Sequence, residues 1–410
     1  MPSSPSASGR SRARNGNDLR GINRLTIDAI TGVTDLVEAM HANISRLPGV
    51  LGDAAAGPAP GIAGLVYRSV RGVTRFVGDG LDLAFAKLAP LLDVVRPPPQ
   101  REAVVAAVNG VLGDHLDATR NPLAIEMRLR HQGVTLKLRR RELAAALPEA
   151  GGKLLVLVHG LCMNDLQWEY AGHDHGAALA RELGYTPLYL HYNSGRHISV
   201  NGREFAALME QLLQHWPVPV ERLAILCHSM GGLVARSACL VAQQEQSDWL
   251  ARLDRLVFLG TPHQGAPLER AGSWVDRLIG LSPYTAPFAR LGKVRSAGIQ
   301  DLRHGNVREE DWLDADGDGR EDGRLPSPLP KGVRCHAIAA STASAQAMPG
   351  DGELPKGDGL VPVASALGRH PDRAYDLRIA KSRQHIAYGV HHLELLGDAG
   401  VYRQLLRWLA

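Results

Sequence analysis

From about residue 154 onward, the apolar positions of the chain gather into short unbroken runs separated by longer amphipathic stretches. The runs are residues 154–158, 187–190, 223–226 and 256–259, and the stretches between them are 176–183, 201–215 and 231–243. Continuous apolar strands alternating with helices are what a parallel sheet covered on both faces requires. Residues 333–339 and 374–379 are predicted to add two strands, and 393–409 a closing helix. Upstream, 125–130 and 134–138 alternate apolar and polar side chains on either side of His131-Gln132-Gly133. That spacing predicts a hairpin of half-exposed strands.

The first third of the chain has a different period. Residues 1–20 are rich in Ser, Arg, Asn and Gly and read as a disordered tail. Apolar residues at helical spacing occupy 22–47 and 62–95, with a Gly/Ala/Pro-rich linker over 49–61, and a third helical stretch spans 102–116. The expected organisation is a tail (1–20), a helical N-terminal region (21–120) and an α/β domain (121–410). Arg68, Arg71 and Arg75 lie on the polar side of the second helix. These helices would either dock on the α/β domain or make a peripheral contact with lipid headgroups.

Composition narrows the function classes. With 410 residues, 45% hydrophobic and 21% charged, the sequence is that of a globular protein with a sizeable core. A net charge of +4 spread along the chain, with 5% aromatics, lacks the clustered basic face and stacking rings of a nucleic-acid binder. Cys162, Cys227, Cys239 and Cys335 show neither metal-ligand spacing nor a disulfide framework, and are expected as small buried apolar residues. There is no apolar signal core at the N-terminus and no uncharged apolar stretch of about 18 residues. The expected location is the cytoplasm, either free or at a membrane surface through the N-terminal helices.

Four segments carry chemistry. Cys227-His228-Ser229-Met230-Gly231-Gly232 joins an apolar strand to a helix, the setting of a nucleophile elbow. The tight turn would present the Ser229 hydroxyl at the strand end, with free N–H groups of the helix start beside it. The first position of the usual G-x-S-x-G pattern is here Cys227. Upstream, the strand 154–158 ends in His159-Gly160-Leu161, where a second oxyanion donor is expected. The N–H groups of Leu161 and Met230 would then hold a tetrahedral oxyanion. His159 comes too early for the order Ser, acid, His and is expected to be structural. Asp358, in Gly357-Asp358-Gly359-Leu360-Val361, can orient a catalytic imidazole, with Asp351, Asp372 and Asp376 as rivals. His392, in His391-His392-Leu393-Glu394, completes the order as base, with His385 and His391 as rivals.

Together with Gly260-Thr261-Pro262-His263, these motifs resemble those of bacterial triacylglycerol lipases and the related GPI-inositol-deacylase-like hydrolases, over about residues 150–410. The resemblance implies the α/β-hydrolase fold and hydrolysis of esters, often of lipids. It also implies that Asp358 is the acid and His392 the base. The expected activity is carboxylic ester hydrolysis through an acyl-enzyme on Ser229, with a small ester or lipid as substrate and no required cofactor. Acyl transfer or thioester hydrolysis on the same machinery is a second reading. A membrane-surface interaction protein with a vestigial core is a third.

Two further segments stand out. Residues 264–330 are too long for a simple connection and carry Trp274, Leu278, Ile279, Leu281, Tyr284 and Phe288, which would suit an apolar lid. Within them, Asp314, Asp316, Asp318 and Asp322 follow the first nine positions of a calcium-binding loop, although Leu325 stands where the closing Glu belongs.

Overall fold

The computed structural model describes Arg24 and residues 99–265, 296–313, 324–345 and 354–410. Apart from Arg24, the expected tail, the helices over 22–47 and 62–95 and their linker lie outside the described residues. So do most of the 264–330 insertion and the whole acidic loop 314–322. The chain divides into two compact units, residues 1–98 with 116–124, and residues 99–115 with 125–410. The helix expected at 102–116 is thereby split, whereas the sequence reading places it wholly in the N-terminal region. In the first unit, residues 116–124 finish that helix and turn. Asn121 N–H donates to Leu116 O (2.8 Å), and Leu123 N–H donates to Asn121 Oδ1 (2.9 Å).

In chain order, the second unit begins in helix α1 (Pro99–Ala118) and continues with β1 (Arg128–His131), β2 (Val134–Thr135), α2 (Arg140–Ala146), β3 (Lys153–Val158), α3 (His175–Leu183) and β4 (Thr186–His191). It proceeds through α4 (Ile198–His215), β5 (Arg222–His228), α5 (Gly231–Glu245), α6 (Asp248–Arg252) and β6 (Leu253–Leu259). Then come α7 (Ala297–His304), α8 (Glu310–Leu313), β7 (Arg334–Ser341), α9 (Val363–Ala366), β8 (Gln384–Tyr388) and α10 (Ala399–Leu409).

The strands form one eight-stranded sheet in the order β2-β1-β4-β3-β5-β6-β7-β8. β1 runs antiparallel to β2 and β4, and every pairing from β4 to β8 is parallel. Successive side chains of a strand point to opposite faces. Leu154, Val156 and Val158 therefore join one core with Ile225, Cys227 and Phe258, while Leu155 and Leu157 join the other with Leu226, Val257 and Leu259. The first core is closed by Phe205, Met209 and Leu212 of α4 and Leu233 and Val234 of α5, the second by Leu179 of α3 and Val401 and Leu405 of α10. This strand order, the antiparallel β1 and the helices on both faces make the α/β-hydrolase fold.

One strand falls elsewhere than expected. Residues 374–379 form no strand, and the last strand of the sheet is β8. Leu377 and Ile379 are buried, so the apolar alternation is real, but Arg378 between them adopts φ +50° and Leu377 N–H bonds to Gly368 O rather than to a ladder. The hairpin does form, through a tight turn in which Gln132 and Gly133 both take positive φ (48° and 72°). Among the described residues, no helix is long and apolar enough to cross a membrane.

Helix α1 is locked to the sheet by charge and by close packing. Arg130 Nη1 of β1 meets Glu102 Oε2 of α1 at 2.6 Å and Asp165 Oδ1 at 2.8 Å, and His191 Nδ1 of β4 reaches the same Asp165 oxygen at 3.0 Å. Burial alone would lower the Arg130 pKa, but the two carboxylates outweigh it and raise it. Farther along α1, the Asn193 amide donates to Gly113 O (2.9 Å), and the Ser296 hydroxyl donates to Gly110 O (2.6 Å). A methyl group on Gly110 would lie 2.2 Å from Cys162 Sγ and 2.8 Å from its Cα. Gly110→Ala should gain about 1 kcal/mol of helix propensity. The clash is expected to cost more, about 1–3 kcal/mol of overpacking. Urea unfolding at neutral pH is therefore expected to show a less stable variant, against the direction that propensity alone would give.

Candidate active site

The geometry of the site begins with crowding at the end of β5. Ser229 follows the strand at φ +54°, a left-handed conformation that a non-glycine residue adopts only when its surroundings hold it there. Its N–H donates to Leu259 O of the neighbouring β6 at 2.9 Å, which carries the strand pairing one residue past β5. The two residues opening α5 must be glycines. A Cβ on Gly231 would meet Val158 O at 2.4 Å, and one on Gly232 would meet Thr261 Oγ1 at 2.1 Å. On the other side, a Cβ on Gly160 would come within 3.0 Å of Ser229 Cβ. Cys227 is fully buried under the turn, and burial raises its thiol pKa well above the ordinary value, so it serves as packing. All four cysteines are free and buried.

The loop after β3 faces this turn. Leu161 and Met230, the two expected oxyanion donors, are both buried, and neither N–H bonds to another described residue. The loop after β3 is held from behind. Cys162, at φ +59°, donates its N–H to Ser194 Oγ at 3.0 Å, and Tyr192 donates its hydroxyl to His159 O at 2.8 Å. His159 is fully buried and stacks on Tyr192 with ring centroids 4.3 Å apart. Burial takes its pKa down to about 3, so it is neutral and structural, as its place in the chain suggests. Ser194 and Tyr192 carried no recognisable sequence signal, since they lie in the loop after β4 and act through backbone groups.

Asp358 and His392 are brought together. His392 Nδ1 donates to Asp358 Oδ2 at 2.7 Å, and both side chains are almost wholly buried. The other carboxylate oxygen accepts Leu360 N–H at 2.9 Å and Val361 N–H at 2.7 Å. The motif's glycines make that turn. Gly359 stands at φ +95°, and a Cβ on Gly357 would lie 1.8 Å from Val361 O. Burial would raise the Asp358 pKa, but His392 and the two N–H donors outweigh it and bring it below the ordinary value. His392 Nε2 is buried with no hydrogen-bond partner among the described residues. The ring lies against the end of β6, where a Cβ on Gly260 would come 3.1 Å from His392 Cε1. His228, the residue before Ser229, donates Nε2–H to the His392 carbonyl at 3.2 Å, and burial foremost keeps its pKa near 3.

The rivals lie apart from this pair. His391 is exposed, with its N–H on Glu394 Oε2, and His385 sits half-buried in β8. Asp372 and Asp376 bond to the N–H groups of Ala374 and Arg378 in their own loop. Asp351 and the calcium-like residues Asp314, Asp316, Asp318 and Asp322 lie outside the described residues. Among the described residues, no group of three or more His, Cys, Asp or Glu side chains could hold a metal ion.

Residues 128–301 match a family model described as Domain of unknown function (DUF7379). No curated protein matches the chain. Among solved structures, the chain is similar to the mature form of the Bacillus licheniformis lipase BlEst2, at 17% identity over 63% of this chain and 92% of that one, with a TM-score of 0.41. It is similar to the Pyrococcus furiosus esterase Pf2001 at 12% identity, over 64% of this chain and 81% of that one, with a TM-score of 0.35. A further similar structure is the ester-hydrolase EH1AB1 from the metagenome of Lake Arreo, at 15% identity over 64% of this chain and 74% of that one, with a TM-score of 0.37.

A carboxyl group whose pKa is lowered on folding stabilises the fold above its unfolded pKa, about 3.9 for Asp. That contribution is withdrawn as the pH falls through the lowered folded value. The gap in unfolding free energy between the wild type and Asp358→Asn should therefore be constant from about pH 5 to 8 and narrow below about pH 4. Urea titrations across that range measure it, and a gap that widens toward acid would contradict the assigned direction.

Proposed function

We propose that this protein is a serine hydrolase that cleaves carboxylic esters through an acyl-enzyme. The observation that carries the reading is the Asp358–His392 pair, bonded at 2.7 Å through Nδ1 with Nε2 left without a partner, its ring 4.9 Å from that of His228, the residue before Ser229. An imidazole whose Nδ1 proton is committed to a carboxylate carries its free lone pair on Nε2, the arrangement a general base needs.

In the proposed reaction, Ser229 Oγ attacks the ester carbonyl while His392 Nε2 takes its proton. Asp358 fixes the tautomer and stabilises the imidazolium without itself becoming protonated. The oxyanion is received by the Leu161 and Met230 N–H groups. The tetrahedral intermediate collapses, the C–O bond to the alcohol breaks, and His392 returns the proton to the departing alkoxide oxygen. Water, deprotonated by the same nitrogen, then releases the acid and restores Ser229.

The proposed substrate is a small ester or a lipid ester. Calcium binding by Asp314, Asp316, Asp318 and Asp322, a lid formed by the 264–330 insertion, and membrane contact through the N-terminal helices remain proposals from the sequence.

The test is turnover of p-nitrophenyl esters of increasing acyl length by purified variants of the full chain. Ser229→Ala should lose turnover while keeping its melting temperature. His392→Ala should fall by roughly three orders of magnitude or more and retain a residual rate above that in water, because the oxyanion donors survive. His385→Ala and His391→Ala should stay within a few-fold of wild type. Near-normal turnover in His392→Ala alongside a large loss in either rival would overturn the choice of base, and unchanged turnover in Ser229→Ala would overturn the reading as a whole.

A further inference from the structure

The two peptide groups on either side of the Leu161 Cα are pinned from outside, and the N–H between the pins is left over. On the first side, the Gly160 carbonyl accepts from His159 Nδ1 at 2.9 Å. A carbonyl can only accept, so that nitrogen carries the ring proton. The peptide is trans, and in a trans peptide the C=O and N–H point in opposite directions. The Leu161 N–H is therefore turned away from the His159 ring. On the second side, the Cys162 N–H donates to the buried Ser194 Oγ at 3.0 Å, which fixes the plane of the Leu161–Cys162 peptide. Two fixed planes set the backbone of Leu161 between them. The Leu161 N–H itself is bonded to no acceptor among the described residues, although the residue is buried. Buried N–H groups are almost always paired, so one left over between two pinned neighbours points to an acceptor that the reaction brings.

The pin at Ser194 works against strain. Cys162 stands at φ +59°, a left-handed conformation that a side chain with a Cβ adopts only under constraint. Without an oxygen at position 194, the buried Cys162 N–H would lose its acceptor, and the peptide before it could turn to relieve that strain. Such a turn would carry the Leu161 N–H out of line. Ser194 is placed in turn by distant parts of the chain. The Asn193 amide donates to Gly113 O of α1 (2.9 Å), Gly195 N–H donates to Asn193 Oδ1 (3.1 Å), and Gly298 N–H of α7 donates to Gly195 O (3.0 Å). Helix α1 thus reaches the loop after β3 twice, directly where Gly110 packs on Cys162 and indirectly through Asn193 and Ser194.

We propose that Ser194 is a positioning residue of the oxyanion hole. Its hydroxyl, by accepting the Cys162 N–H, holds the Leu161 N–H toward the oxyanion that forms on an ester attacked by Ser229. The proposal rests on the serine-hydrolase reading and adds to it a residue outside the triad, set in place by α1.

The test compares Ser194→Ala with the wild type as full chains on p-nitrophenyl butyrate, well below both melting temperatures. Loss of one oxyanion donor costs about 10²–10³ in turnover, and misaligning it costs part of that. The kcat is expected to fall roughly 10–100-fold with KM within about threefold, because the donor acts in the transition state and not in the ground state. Two inhibitors read the same donor without turnover. With an alkyl trifluoromethyl ketone, Ser229 Oγ bonds to the carbonyl carbon, its proton passes to His392 Nε2, and the carbonyl oxygen becomes an alkoxide in the oxyanion position. The corresponding carbinol has nearly the same shape and no carbonyl to attack. The inhibition constant of the ketone is expected to rise roughly tenfold or more in Ser194→Ala, and that of the carbinol to stay unchanged. An unchanged kcat and ketone constant would overturn the proposal. So would equal weakening of ketone and carbinol, which would make Ser194 a structural residue of the pocket. Should the Ala variant fail to fold, Ser194→Cys replaces it, since a thiol nearly keeps the volume and is only a weak acceptor. The same pattern is expected there, and wild-type kinetics would overturn the proposal. A wild type that neither turns over the ester nor prefers ketone to carbinol would overturn the hydrolase reading and the proposal together. An active wild type with indifferent Ser194 variants would overturn the proposal alone.

Discussion

The rest of the site depends on the steric crowding at the turn from β5 into α5. Atoms from three directions converge there: the Val158 carbonyl of β3 against Gly231, the Thr261 side chain of the loop after β6 against Gly232, and Gly160 against the Cβ of Ser229 itself. No space remains for a relaxed connection, so the chain reverses through a left-handed serine. Such a conformation costs roughly 1–3 kcal/mol and persists only where the surroundings overdetermine it. The bond from Ser229 N–H to Leu259 O and the packed sheet beneath supply that constraint. Its consequence is positional: the hydroxyl, the first N–H groups of α5 and the loop after β3 are all brought to one end of the sheet.

Around that turn the protein places buried polar groups in two electrostatic classes. His159 and His228, at the ends of β3 and β5, are kept neutral by burial and serve as rigid hydrogen-bonding plates, one beside Tyr192 and one under the His392 carbonyl. Asp358 is the opposite case, a buried carboxylate kept ionised by one imidazole and two backbone N–H donors. A carboxylate in that position orients the His392 ring and fixes which nitrogen faces away from the acid. The loop that carries Leu161 is supported separately, by Ser194, Tyr192 and the close approach of α1 at Gly110.

Much of this was legible in the sequence because the motifs are records of local geometry. Gly231, Gly357 and Gly359 mark close approaches and a positive φ, and the apolar runs over β3, β5 and β6 mark strands buried on both faces. The misplaced strand has the complementary explanation. Among the described residues β8 is the edge of the sheet, paired with β7 alone, so Gln384-His385-Ile386-Ala387-Tyr388 need not be uniformly apolar. Residues 374–379 alternate because Leu377 and Ile379 anchor a loop. Helix α1 falls in the N-terminal region by sequence because the period changes from helix to strand only after it, near Ile125, and its two close-packing glycines, Gly110 and Gly113, give no hint of what they pack on. Their role emerges only once Cys162 and Asn193 lie against them. Support of this kind, made between backbones far apart in sequence, leaves no periodic trace.

The central claim is that Ser229 is a nucleophile activated by its surroundings. It is tested most directly by treating the full chain with a fluorophosphonate and mapping the adduct by peptide mass spectrometry. The expected result is a single phosphonylated serine in the peptide containing Cys227-His228-Ser229, formed in the native protein and absent after urea denaturation. A native protein that takes up no phosphonate, or that carries it on a different residue while Ser229 stays unmodified, would contradict the claim.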